Sequence, residues 1–408
     1  MSTGRTRALP LPGTLHSVNP KNIPQERDFV ALSTFGASVR WTAVGAAALT
    51  MITAIYLILD GARGLGSGTV TRLFDLATNP LIGLLIGILA TAAIQSSTTI
   101  TTLTVAAVGT GGVSVPVAIP IILGANIGTT ITASIVAFSY LGHRENFRRA
   151  FTSASLHTWF NVTFVAIAFT LEAFFHPLQR ISDLASDSLV GEGATSTGRG
   201  LFTLFAPFIE TIGVDGLLGS LLPHHVAAVL SILMGTALVL TAVRILNGQL
   251  SILTAAATRT LLERASGASD ALGVLSGAVI TAAVQASSVT VSSLLPFAVS
   301  KSLKLREILA ITLGANVGTT LMALLTALAV PGALGPYAVQ AALVHVTFNA
   351  TGALLILLFR PLREWVIRMA GLSGRLASRG YSYAAGTMVV GYFLIPATVV
   401  VLYHLLTR

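Results

Sequence analysis

The sequence predicts an all-α polytopic membrane protein made of two inverted-topology repeats, each with a re-entrant helical hairpin and discontinuous helices. Three observations predict this. The first is composition: of 408 residues, 53% are hydrophobic and only 10% charged, with mean hydropathy +0.82. A soluble domain carries about 25% charged residues. The second is duplication. GLLIGILATAAIQSS (83–97) returns as GVLSGAVITAAVQAS (273–287), and LGANIGTT (123–130) as LGANVGTT (313–320), both 190 residues on. HTWFN (157–161) returns as HVTFN (345–349). Polar, glycine-broken motifs repeated in an apolar chain mark two-repeat transport proteins. The third is loop charge, which reverses between the repeats.

Taken in order, residues 1–40 form a polar N-terminal tail carrying Arg5, Arg7, Lys21, Arg27 and Arg40, with no apolar core of a signal peptide. Membrane repeat 1 covers 41–175, a connector 176–222 and membrane repeat 2 residues 223–360. A basic segment and a final membrane helix fill 361–408. Full spans, needing about 20 apolar residues each, are predicted over 41–59, 114–139, 150–174, 224–247, 308–330, 338–359 and 384–406. Segments 199–222 and 250–266 read either as spans or as interfacial. Ser186 reads as a surface residue.

The net charge of +9 resides between the apolar runs, where Lys and Arg set orientation. It is not gathered with aromatics as a nucleic-acid face would be, so no nucleic-acid partner is expected. With no cysteine in the chain, thiolate and disulfide chemistry are excluded. Loop 141–149 (LGHRENFRR) is basic and its repeat partner 331–336 (PGALGP) uncharged; loop 110–113 (TGGV) is uncharged and its partner 300–306 (SKSLKLR) basic. By the positive-inside rule, equivalent loops lie on opposite sides. The parity closes with a cytoplasmic N-terminus, provided that 80–109 and 270–300 each enter and leave on one side. Irregular backbone at membrane depth requires burial in protein or a polar cavity, which suits the tips Gln95-Ser96-Ser97-Thr98-Thr99 and Gln285-Ala286-Ser287-Ser288-Val289-Thr290.

Each tip clusters amides and hydroxyls where a second half-helix begins. Its unpaired N–H groups and positive dipole end favour an anion; hydroxyl and carbonyl oxygens also suit a small hard cation. Lone membrane Ser and Thr more often bond their own helix, but duplication at matching positions favours a site. In GANIGTT and GANVGTT the glycines suit close helix packing, whereas Asn126 and Asn316 need partners. His157/Asn161 and His345/Asn349, at i and i+4, each share a helix face. These asparagines read as cation ligands, and the histidines read equally well as interhelical hydrogen-bonding groups. His224-His225 stands at a membrane edge without further ligands, so no metal site is assigned. The spans hold almost no carboxylate, with Glu172 near an end; a proton relay would need one. An anion bound together with sodium ions would neutralise itself among neutral dipoles.

At these residues, from about 75 to 360, the chain resembles the type II sodium–phosphate cotransporter family. The family's paired Gln-Ser-Ser-Ser motifs are matched by Gln95-Ser96-Ser97 and Gln285-Ala286-Ser287-Ser288, followed by GANIGTT, RENFRRAF and HTWFN. The resemblance implies sodium-driven phosphate import by alternating access in the plasma membrane, with no enzyme activity and no cofactor beyond the transported sodium. Phosphate would be held by Gln95, Ser96, Ser97, Thr98, Gln285, Ser287 and Ser288, with Asn126 and Asn316. Sodium would be held by Gln95, Ser97, Thr99, Gln285, Ser288 and Thr290, with Thr130, Thr320, Asn161 and Asn349. Three positions depart from the family. Ala286 replaces a serine, Thr98 stands for a third serine, and Thr158 occupies a position that is Asp in electrogenic members. A homodimer is left open. Two other readings remain at this stage: a carrier or channel for sulfate or a carboxylate, and an intramembrane hydrolase using Ser97 with His157. The last needs one asymmetric Ser–His pair, and here every candidate is duplicated.

Overall fold

The computed structural model describes residues 34–66, 74–189, 207–265, 267, 269–330 and 333–407. Most of the 1–40 tail and residues 190–206 of the connector lie outside these. The described residues are helical with no strand, and seven helices are long and apolar enough to cross a membrane. They are Thr34–Leu65, Val115–Tyr140, Arg144–Phe175, His224–Leu253, Leu305–Leu328, Gly335–Leu358 and Tyr381–Leu406, each overlapping a predicted span. The first starts before the expected span and includes Arg40. Ala255–Ala265 is too short to span, and no spanning helix lies in 207–222. The protein is a multi-pass membrane protein.

The duplication recurs in the elements. Within the first repeat, α1 (Pro80–Ile94), α2 (Ser97–Gly109), α3 (Val115–Gly128) and α4 (Arg144–Phe175) follow one another. Their counterparts are α5 (Asp270–Val284), α6 (Ser287–Ser293) continued by Leu295–Ser300, α7 (Leu305–Gly318) and α8 (Gly335–Leu358). In each repeat the first and third helices cross at backbone contact. A Cβ on Gly87 would stand 2.2 Å from Ile121 O, and one on Gly277 1.9 Å from Ile311 O. Small-residue packing of this kind brings membrane helices together without a hydrophobic driving force. The spans also break after each Gly-Ala-Asn-x-Gly segment, at Thr129–Thr130 and Thr319, so these segments both pack closely and interrupt the helix.

The repeats interlock. Helix α2 packs on α8 and on Thr320–Leu328, while α6 packs on α4 and Ile131–Ala137. The amphipathic helix Pro177–Leu189, which follows the first repeat, packs on α8; Arg360–Ala377, which follows the second, packs on α4. Glu172, the acidic residue near a span end, accepts from Leu178 N (2.7 Å) and Gln179 N (3.1 Å) at the start of Pro177–Leu189. A carboxylate there satisfies orphan donors of the helix N-terminus. Ser186 is buried rather than at the surface, because its Oγ donates to Pro336 O (3.1 Å) across this interlock.

Basic segments gather at one end. Arg149 Nη1 donates to Val299 O (3.0 Å), Arg144 Nε to Ser378 O (2.8 Å) and Tyr381 OH to Leu141 O (2.9 Å). Arg306 and Arg363 both pair with Asp270. At the other end Gly109 abuts Val330, and Gln340 Nε2 donates to Gln179 O (3.4 Å). Thr34–Leu65 and His224–Leu253 pair along their length outside this core. Arg40 meets Gln249 at one extremity (2.8 Å), and Asp60 accepts from Ser231 Oγ (3.2 Å) towards the other.

Candidate functional site: two glutamine–serine tips and their scaffold

Each tip is a helix break with the same cause. Gln95 (φ 58°) and Gln285 (φ 62°) both take the left-handed conformation that ends a helix, with the cap N–H on Thr91 O and Thr281 O. Such a conformation is costly for a residue with a Cβ, and it recurs at both tips with the duplicated sequence around it. The next helix starts at once, at Ser97 and at Ser287. Its first N–H groups therefore point back to the break.

The tips meet. Thr98 Oγ1 donates to Gln285 O at 3.3 Å, joining breaks 187 residues apart in sequence. At the first tip Ser96 caps α2: its Oγ accepts from Thr99 N (3.2 Å) and Thr99 Oγ1 (2.9 Å). At the second tip the cap position is Ala286, which offers no side-chain acceptor. The missing family hydroxyl thus leaves the start of α6 uncapped by its own side chain. Thr290 Oγ1 lies 2.7 Å from Thr281 Oγ1, and Gln285 Oε1 is buried with no partner. Among the described residues, no protein group hydrogen-bonds the side chains of Gln95, Ser97, Ser287 or Ser288. Ser97 and Ser287 are buried nonetheless.

The asparagines and histidines form a second layer. His157 Nε2 lies 2.8 Å from Asn316 Oδ1, and Asn316 Nδ2 donates to Asn161 Oδ1 (3.3 Å). In the reciprocal position, His345 Nε2 lies 3.3 Å from Asn126 Oδ1. Asn126 Nδ2 instead donates to Ile122 O (2.8 Å). Asn126 and Asn316, expected on phosphate, thus spend both amide ends on the protein. The histidines are interhelical hydrogen-bonding groups, the plainer of their two readings. Asn349 is fully buried, with both side-chain polar atoms unpartnered, and Asn161 donates its Nδ2 to His157 O (3.0 Å). Thr320 bonds back to Val317 O (2.8 Å), as lone membrane threonines commonly do. No hydrogen bond joins Ser97 to His157 among the described residues, so the hydrolase reading lacks its required contact.

One participant escaped the sequence reading. Tyr392, on a π-helical turn (Val390–Leu394) of the final span, reaches the hydroxyls of Thr130 and Thr158. It has no counterpart in the duplication and so carried no repeat signal. A pocket of about 470 Å³ beside the first tip is lined by Gln95, Ser96 and Thr99, with Arg244 and Asn247 opposite.

The Na+/Pi-cotransporter family model matches residues 50–190 and 238–374. The chain belongs to this family. The two matched blocks hold both tips and both asparagine–histidine layers, while Tyr392 lies beyond them. Sodium-dependent phosphate transport protein 2B of Pongo abelii is 29% identical over 84% of this chain and 62% of its own length. Protein 2A of Mus musculus is 30% identical over 83% and 63%, and protein 2A of Oryctolagus cuniculus 29% over 94% and 72%. The chain thus spans less than two thirds of the first two relatives. No solved structure matches it.

Proposed function

We propose that the protein is a sodium-coupled symporter that imports inorganic phosphate by alternating access, and no enzyme. The observation that carries this reading is the Thr98–Gln285 contact. It brings two duplicated, hydroxyl-bearing helix starts together inside a chain of the Na+/Pi-cotransporter family. Phosphate is held by the unpartnered Gln95, Ser97, Ser287 and Ser288, with Ser96, Thr98 and the open start of α6. Sodium ions are held by oxygens of the same tips, including Thr99, Gln285 and Thr290. Asn349 and Thr320 stand behind as further oxygen donors, while Asn161, whose amide is engaged at both ends by His157 and Asn316, and Thr130, bonded to Tyr392, add only the lone pairs those bonds leave. The orphaned amide of Asn349 supports its place in this set, since a buried unpaired amide is costly without a ligand. Asn126 and Asn316 serve instead by holding the repeats together.

The halves are inverted in the membrane, and 80–109 and 270–300 are re-entrant. Support comes from the ends of the fold. The basic loops 141–149 and 300–306, which are not repeat equivalents, come together through Arg149 and Val299, and the uncharged loops meet at Gly109 and Val330. The basic end faces the cytoplasm of a plasma-membrane protein. Gln95 is exposed, whereas Gln285 is only 8% exposed, as expected of a site open on one side. Thr158 is uncharged and its hydroxyl faces Tyr392, so two sodium ions balance one divalent phosphate and transport carries little net charge.

The deciding experiment is radiolabelled phosphate uptake into proteoliposomes. Uptake is expected with an inward sodium gradient, to be abolished when potassium replaces sodium, and to survive a protonophore. Uptake that ignores sodium and collapses with the protonophore rejects sodium coupling, and sulfate taken up in preference to phosphate rejects the substrate.

A further inference from the structure

His224–Leu253 holds a single Lys, Arg, Asp or Glu residue, Arg244. It lies nine residues from the helix end, about 14 Å at 1.5 Å per residue. The helix outruns its apolar part, which the sequence ends at 247, so Arg244 stands about one turn inside the basic end with its side chain exposed, where a guanidinium faces an aqueous vestibule rather than hydrocarbon. Arg244 has no hydrogen-bond or ion-pair partner among the described residues, and no carboxylate lines its pocket. Asn247, three residues on, shares its helix face. Across the pocket stand Gln95, Ser96 and Thr99 of the first tip. The Ser96 oxygen already accepts twice from Thr99, so its own proton is left to donate into the pocket. A cation, an amide and a hydroxyl donor with no internal anion form an incomplete set, and the complement is an oxyanion.

We propose that Arg244, with Asn247 and the Ser96 hydroxyl, forms an oxyanion subsite at the mouth of the first tip. There phosphate is held on its passage between the tips and the basic end. This rests on the phosphate reading of the tips but adds a residue from outside both hairpins. Arg244 sits on the helix paired with Thr34–Leu65, so the subsite lies between that pair and the first hairpin. The same guanidinium chemistry would suit a lipid phosphate that it reached by snorkelling, and the two sources are separable.

The test is binding of radiolabelled inorganic phosphate at saturating sodium to the purified full chain, in nanodiscs of phosphatidylcholine alone and with added phosphatidylglycerol. Parent, R244Q and R244K are compared, with thermal stability in sodium without phosphate as the check on folding. R244Q is expected to raise Kd about three- to tenfold in both discs, the loss of one charge-assisted hydrogen bond at a partly exposed site. R244K is expected to keep more affinity than R244Q, and both to match the parent's stability. R244Q binding within twofold of the parent overturns the subsite. So does a loss confined to phosphatidylglycerol discs, which assigns the guanidinium to a headgroup, or an equal loss in R244K, which ties the effect to shape. A parent that binds no phosphate in sodium rejects the transport reading itself, and the subsite falls with it.

Discussion

His157 Nε2 and Asn316 Oδ1, 159 residues apart in sequence, lie 2.8 Å apart in the buried core. The pair ties α4 of one repeat to α7 of the other, and His345 with Asn126 makes the reciprocal tie at 3.3 Å. Two such bonds fix how the halves interlock around the tips, because each amide is presented by a segment whose glycines already touch a neighbouring backbone. A double-mutant cycle with His157→Ala and Asn316→Ala is expected to give a coupling of about 0.6–1.7 kcal/mol, the range found between membrane helices. Thermal unfolding in detergent measures it. A coupling indistinguishable from zero contradicts the tie.

The glycine crossings are expected to be intolerant. Gly87→Ala and Gly277→Ala each place a methyl about 2 Å from a carbonyl oxygen, where the helices must separate. Both variants are expected to lose the monodisperse peak in size-exclusion chromatography. Gly248→Ala, with nothing within 4 Å, is expected to be neutral or stabilising by up to about 1 kcal/mol. Normal behaviour of both core variants would show that the crossing adjusts freely.

The serines are expected to act on binding without acting on folding. Ser97→Ala and Ser287→Ala remove hydroxyls that no protein group engages. Each is expected to weaken phosphate binding by about tenfold or more, the worth of a hydrogen bond to a charged group, at unchanged thermal stability. Ser188→Ala, an exposed hydroxyl bonded only to its own helix, serves as the control. Parent-like affinity in both tip variants would reduce the tips to packing.

Topology is open to labelling because the chain has no cysteine. Thr110→Cys and Lys304→Cys, introduced singly, are expected to react with an impermeant maleimide from opposite sides. Arg149→Cys is expected to label with Lys304→Cys, since Arg149 reaches Val299. Labelling of Thr110→Cys and Lys304→Cys from one side ends the inverted arrangement.

All seven spans, the helix breaks at Gln95 and Gln285 and the duplicated order of motifs were legible in the sequence. Each is a local property: apolar length sets a span, and glycine and serine placement sets a break or a close crossing. The i, i+4 spacing of His157 and Asn161 assigned them one helix face, but no spacing could name Asn316 as the partner, because that contact is made only once two repeats interlock. The same holds for Asn126, a plausible ligand by residue type that the fold commits to Ile122 and His345. It holds for Ser186, polar in sequence yet buried against Pro336. Tyr392 lies outside the duplication and Arg244 outside its repeated motifs, and the tertiary structure alone sets them against Thr158 and beside Ser96. The sequence by itself determined which polar groups had to be satisfied within the membrane. The tertiary structure decided which are satisfied by protein and which are left for a ligand, since a hydrogen bond depends on distance and direction between groups that the chain brings together only on folding.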